Sequence, residues 1–163
     1  MILTMFTFDF LKNLEESWED ILTEYHALSD HTFKWHEPIH NGLWYVLGLK
    51  FQGVDLKAKK LAPNTSKLCE AIPGIHTYAF SVMKPGCEIH PHVGYTNEVL
   101  RGHLSLISND SCGIRIDGHD VSWIPGKTFV FDDTLLHSAW NRGSADRVVL
   151  LFDFYRFPVD SIS

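Results

Sequence analysis

The chain has 163 residues and a formal net charge of −6; 45% of its residues are apolar and 21% charged. That balance fits a globular protein long enough for one domain with a sizeable core and too short for two ordinary ones, so residues 1–163 are read as a single domain. The acidic balance argues against a nucleic-acid partner. No apolar run approaches the roughly 18 residues of a membrane span, so no membrane partner is expected either.

The opening stretch MILTMFTFDF is apolar but short, with no basic leading segment and no small-residue cleavage site. A secretory signal is therefore not expected. Cys69, Cys87 and Cys112 are odd in number and form no C-x-x-C, which suits reduced thiols buried as small hydrophobes in the cytoplasm.

The first element is DFLKNLEESWEDILTEYHALSD. Leu11, Leu14, Trp18, Ile21, Leu22, Tyr25 and Leu28 recur at three- and four-residue steps with acids between them. This spacing predicts one amphipathic helix packed by its apolar stripe, with Asp9 as N-cap. NGLWYVLGLKF then reads as a strand. Leu43, Tyr45, Leu47, Leu49 and Phe51 would face the core, opposite a mixed face of Trp44, Val46, Gly48 and Lys50. NTSKLCEAIPGI predicts a short helix capped by Asn64 or Thr65 and stopped at Pro73-Gly74.

From there the pattern changes. Short runs rich in β-branched and aromatic residues follow: HTYAFSVMKPG, VLRGHLSLIS, CGIRIDGHDVSWIPG, KTFVFDD, LHSAWNRG and DRVVLLFDFYRF. Asp117-Gly118 is a strong hairpin signal; Pro85-Gly86, Pro125-Gly126 and Arg142-Gly143 mark further turns. Many short strands after a helical start predict a mainly β jelly roll with helices packed outside and an open mouth between its sheets.

Ten histidines is a high count. His26, His31, His36, His40, His76 and His119 are read as surface or core residues. His90, His92, His103 and His137 draw attention because they stand in or beside apolar strands, where an imidazole needs a partner for each ring nitrogen. Two such rings from opposite strands can pinch one metal ion. An oxygen-activating iron site usually adds a carboxylate two residues after the first His. Here that position is Gly94. Either the iron reading fails, or the site works with two protein ligands and a water in the vacant place.

Three blocks bear on that choice: SVMKPGCEIHPHVGYTNEVLRGHLSL, FVFDDTLLHSAWN and DRVVLLFDFYRF. Together, over about residues 65–157, they resemble the aspartyl/asparaginyl β-hydroxylase family of iron(II)- and 2-oxoglutarate-dependent oxygenases, which have a double-stranded β-helix fold. Residues 1–60 carry no motif that matches. The resemblance implies that His92 and His137 ligate iron and that Asp133 holds the water standing in for the missing carboxylate. It implies that Arg147 and Ser81 receive the distal carboxylate of 2-oxoglutarate. It assigns His103 to the metal-chelating end, and Arg101 to that end or to an acidic substrate, with His90 at the rim. An arginine suits such a carboxylate because its planar fork offers two parallel hydrogen bonds.

The activity implied is hydroxylation of an unactivated carbon by O2. Family substrates are aspartyl or asparaginyl residues, free amino acids or lipid acyl chains, and a small amino-acid derivative or a peptidyl residue is the expectation here. Two rivals remain. Chloride at the vacant position would give a halogenase of the same iron/2-oxoglutarate class. A non-oxygenase cupin-type metal protein or isomerase would use His90, His92, Glu98 and His137, with Asn141 ending its second motif.

Overall fold

The structure, a computed structural model, describes residues 8–156. In chain order they form helices α1 (Asp9–Glu16) and α2 (Trp18–Leu28), strands β1 (Phe33–Lys34), β2 (Trp44–Phe51) and β3 (Val54–Asp55), and helix α3 (Pro63–Glu70). Eight strands follow: β4 (Ile75–Met83), β5 (Glu88–His92), β6 (Val99–Ile107), β7 (Cys112–Ile116), β8 (His119–Val121), β9 (Thr128–Phe131), β10 (His137–Asn141) and β11 (Arg147–Tyr155).

The strands make two antiparallel sheets. The larger has the order β1-β2-β4-β11-β6-β9, with β3 hairpinned onto β2; the smaller has the order β5-β10-β7-β8. Strictly alternating side chains give the large sheet two different faces. One face carries Leu47, Leu49, Tyr78, Phe80, Val82, Leu100, Leu104, Val130, Leu150 and Phe152, and the buried stripes of α1 and α2 pack on it. The opposite face carries Trp44, Met83, Phe129, Phe131, Val149 and Leu151, and meets Ile89, Cys112, Ile114, Ile116 and Ala139 of the small sheet. The expected jelly roll with helices outside is the observed architecture.

Several local expectations hold. Asp117 and Gly118 close the β7–β8 hairpin with φ of +49° and +79°, the double left-handed geometry of a type I′ turn. Cys69, Cys87 and Cys112 are free and buried. The stripe of the first helical segment is core, with Leu11, Leu14, Ile21, Tyr25 and Leu28 all buried.

Others need correction. The single helix is two, broken at Ser17, because Glu15 accepts hydrogen bonds from the Thr128 amide and hydroxyl while Trp18 lies over Gly126. Asp9 is the first helical residue; Phe8 holds the N-cap position, and the acid sits where the helix dipole favours negative charge. Helix α3 starts earlier than expected, at Pro63, so Asn64 and Thr65 lie inside its first turn. Their amides are capped from a distance by the Glu24 carboxylate, at 3.0 and 2.7 Å. On β2 the face taken as mixed is also core at one end, since Trp44 and Val46 pack between the sheets. Phe51, assigned to the core, is 41% exposed.

Candidate active site

The pocket opens between the sheets. β5 ends at His92 and β10 begins at His137, and these two residues are register partners directly across the ladder. Their rings lie 4.3 Å apart, centroid to centroid. His92 donates its Nδ1–H to the His90 carbonyl at 2.7 Å, and His137 does the same to the Leu135 carbonyl at 2.7 Å. A carbonyl can only accept, so both Nδ1 atoms carry the proton and each Nε2 presents a lone pair. Burial outweighs the Leu135 hydrogen bond and, with the nearby Arg101 guanidinium, pushes the His137 imidazole down to about 4, which keeps it neutral and able to ligate.

Gly94 and Asp133 fit each other. The Gly94 amide donates to the Asp133 carbonyl at 2.6 Å, and any Cβ on residue 94 would overlap the Asp133 carboxylate. The glycine is thus what admits this acid to the site. Asp133 is 2% exposed, and its Oδ1 is buried without a hydrogen-bond partner. Burial raises its carboxyl to about 6, against the opposing pull of Arg101. An orphaned buried oxygen of this kind calls for an ion, a water or a ligand atom.

Among the described residues no group of three or more His, Cys, Asp or Glu side chains could by itself hold a metal. The donor set is the imidazole pair, and it suits a divalent transition metal whose remaining positions go to water or an added chelator. The free Nε2 atoms and the orphaned Asp133 Oδ1 fit such an ion.

Deeper in the pocket, β11 supplies Arg147, which is 2% exposed. Its Nη2 donates to the Ser81 hydroxyl at 3.0 Å and to the Ser81 carbonyl at 3.2 Å. The guanidinium lies 4.5 Å from the Trp123 ring centroid, and its Nε has no partner. Burial lowers its pKa to about 10. The Ser81 hydroxyl also accepts from Trp44 Nε1 at 2.9 Å. His103 Nδ1 accepts from Trp123 Nε1 at 3.1 Å. Since an indole only donates, a neutral His103 carries its proton on Nε2. Burial, and then the charges of Arg147 and Arg101, hold its pKa well below the usual histidine range.

Arg101 is already committed. It forms a two-bond pair with Asp153, at 2.8 and 2.9 Å, and leaves Nη1 3.7 Å from Asp133 Oδ2. Sequence reasoning missed Asp153, although a lone acid in LLFDFYRF at an even step from Arg147 was a usable signal. The indoles of Trp44 and Trp123 carried no comparable signal.

His92, His103, His137, Arg101, Arg147 and Ser81 line one inner cavity, and His92, Arg101, Asp133 and Ser81 also line a wider outer groove of about 710 Å³. All seven expected site residues therefore converge. His90 is exposed and stands outside both cavities, as does Glu98. Asn141 is spent on the carbonyls of Met83 and Ala145, a structural role.

A family profile described as Aspartyl/Asparaginyl beta-hydroxylase matches residues 15–157, so the likeness begins well before residue 65. An ornithine lipid ester-linked acyl 2-hydroxylase of Rhizobium tropici is 37% identical over 86% of this chain and 48% of its own length. The human aspartyl/asparaginyl beta-hydroxylase is 32% identical over 90% of this chain and 21% of its own. The chain thus spans about half or less of these relatives. A Pseudomonas putida prolyl-4-hydroxylase structure superposes with a TM-score of 0.61 at 18% identity, covering 88% of each chain, which speaks for the fold. A profile match over nearly all the described residues, joined to relatives of that similarity, shows that this chain belongs to the aspartyl/asparaginyl beta-hydroxylase family.

Proposed function

We propose that this chain is a single-domain iron(II)- and 2-oxoglutarate-dependent dioxygenase that hydroxylates a carbon of its substrate. The observation that carries the reading is the pair of opposed imidazoles, both with Nδ1 tied to a carbonyl, beside a deep arginine without a carboxylate partner. When bound, iron(II) and 2-oxoglutarate would use O2 to convert a C–H bond to C–OH, with succinate and carbon dioxide as coproducts.

The chain's own groups would do the rest. His92 and His137 hold the metal through Nε2. Asp133 Oδ1 accepts a hydrogen bond from a water at the position a third ligand would otherwise take. Arg147 Nε and Nη2, with the Ser81 hydroxyl, receive the distal carboxylate. His103 offers its Nε2–H to the chelating end. Trp44, Trp123 and Phe131 exclude bulk water from the inner cavity, which strengthens each of these contacts.

The halogenase reading loses ground because the buried Asp133 carboxylate stands beside Gly94 and would repel an added anion there. The cupin reading loses ground because Glu98 is exposed and lines neither cavity. The free buried thiols support a reducing compartment such as the cytoplasm.

Aspartyl or asparaginyl groups and small amino-acid derivatives remain the substrate reading. The outer groove supports a second, an acyl chain: Phe33, Trp35, Val46, Phe51, Leu56 and Leu151 give it an extended apolar wall, and the Rhizobium relative is named for acyl hydroxylation.

Anaerobic titration with iron(II) and 2-oxoglutarate tests the proposal. The weak visible charge-transfer band of the chelate is expected in the unaltered protein and absent in His137→Ala. A band that persists in His137→Ala, or that never forms in the unaltered protein, overturns it.

A further inference from the structure

Two guanidiniums share this pocket, and they differ in one respect. Strand β11 presents Arg147, Val149, Leu151 and Asp153 on its inner face, so a cation and an anion lie about 20 Å apart along one strand. Strand β6 presents Arg101, His103 and Ser105 on the same side. In the ladder Arg101 stands directly opposite Asp153, and His103 opposite Leu151. The acid therefore meets Arg101 and leaves Arg147 alone. The side chains of the pair are 18% and 2% exposed. Among the described residues Arg147 makes no ion pair, and the cavity around it is walled by Trp44, Trp123, Ile114 and Ala139.

We propose that Asp153 is a positioning residue that sets the direction in which a dicarboxylate enters this pocket, by neutralising Arg101 so that Arg147 is the cation left to attract a carboxylate. The inference rests on the cosubstrate reading above and deepens it.

A ligand with a carboxylate at each end could pair with an arginine at either end of the pocket. If both arginines were free, the two orientations would compete, and in one of them the wrong end of the ligand would face the imidazoles. Asp153 removes that competition. A ligand carboxylate that took Arg101 would strand the Asp153 carboxylate in a buried position without its partner, which is strongly unfavourable. Arg101 Nη1, 3.7 Å from Asp133, can still donate a hydrogen bond, but the pair as a whole carries no net charge. Arg147 has no such attachment: its Nε is unsatisfied, and among the described residues its hydrogen-bond acceptors are those of Ser81. Binding a carboxylate there satisfies an orphaned donor and removes nothing.

The test uses glutarate, a dicarboxylate that lacks the chelating keto group, titrated calorimetrically into metal-free protein. Arg147→Met is expected to weaken glutarate binding at least about tenfold. Adding Asp153→Asn to that variant frees Arg101 and is expected to restore about tenfold. A further Arg101→Met should abolish the restoration. Replacing the pair together, Arg101→Met with Asp153→Leu, keeps the pocket neutral at that end. It is expected to leave glutarate binding within about twofold of the unaltered protein.

A folded Arg147→Met/Asp153→Asn variant that regains nothing overturns the inference, and so does a tenfold loss on replacing the pair. Should the Asn variant fail to fold, Arg147→Met/Asp153→Ala takes its place, with the same restoration expected. If the unaltered protein binds glutarate through Arg147 and these results fail, only the role of Asp153 falls. If the unaltered protein binds neither glutarate nor 2-oxoglutarate with manganese(II), the cosubstrate reading falls and this inference with it.

Discussion

The two faces of the large sheet obey different rules. The helix-facing side is filled by Tyr78, Phe80, Leu104, Leu150 and Phe152, each essentially without exposure, and its polar groups are few and satisfied. The inner side holds Ser81, His103, Arg147 and Asp153, with Asp133 on the turn after β9; all are buried, and two of them keep an atom with no partner. The same strands build both faces, so side-chain alternation separates a stabilising core from a polar pocket. Burying an unsatisfied charge is costly. The fold tolerates that cost because the opposite face is packed chiefly with hydrocarbon and aromatic rings.

The contrast can be broken from either side. Phe152 fills the space left by the missing side chain of Gly102 on the neighbouring strand. Phe152→Ala is expected to cost about 3–5 kcal/mol, read from denaturant unfolding, by opening a cavity in the helix-facing core. On the inner face the sign should reverse. Arg147→Met removes a buried cation that no carboxylate balances, and a gain of about 1 kcal/mol is expected even as dicarboxylate binding is lost. Equal destabilisation by both substitutions would show that the inner face is not held at a cost.

The smallest effect lies outside both cores. Burial alone would raise the Glu70 carboxyl, but hydrogen bonds from Lys50, Tyr78 and Lys59 outweigh it and hold the group at about 2 against an ordinary 4.5. A carboxyl lowered in the folded state adds stability above its unfolded pKa and loses it as pH falls toward the folded one. Unfolding followed between pH 5 and 2 should therefore show a loss in the native chain that Glu70→Gln lacks. The effect is modest because the side chain is 35% exposed.

Much of this was legible in the sequence. The alternating runs of β4, β6 and β11 announced strands, Asp117-Gly118 announced its hairpin, and the histidine and arginine spacing marked a pocket. What escaped detection depended on partners distant in the chain. Nothing in the local sequence says that Glu24 caps a helix 40 residues on, or that Glu15 ties the first helix to Thr128. The Arg101–Asp153 match requires the register of two strands 52 residues apart. Much of the outer groove's apolar wall comes from β1 and β2, whose residues carried no chemical motif. Local pattern reveals which way a side chain points; only the assembled sheets decide what it meets.

The interlock of residues 94 and 133 has a consequence for how this centre could change over time. Adding a third protein ligand to the proposed two-histidine centre by Gly94→Asp would drive one carboxylate into another, while trimming Asp133 first would leave that proposed centre with neither acid. Each single step passes through a damaged protein, so the two designs are separated by a valley that only a paired exchange can cross. An attempt to engineer a three-ligand site into this scaffold should therefore alter both positions at once.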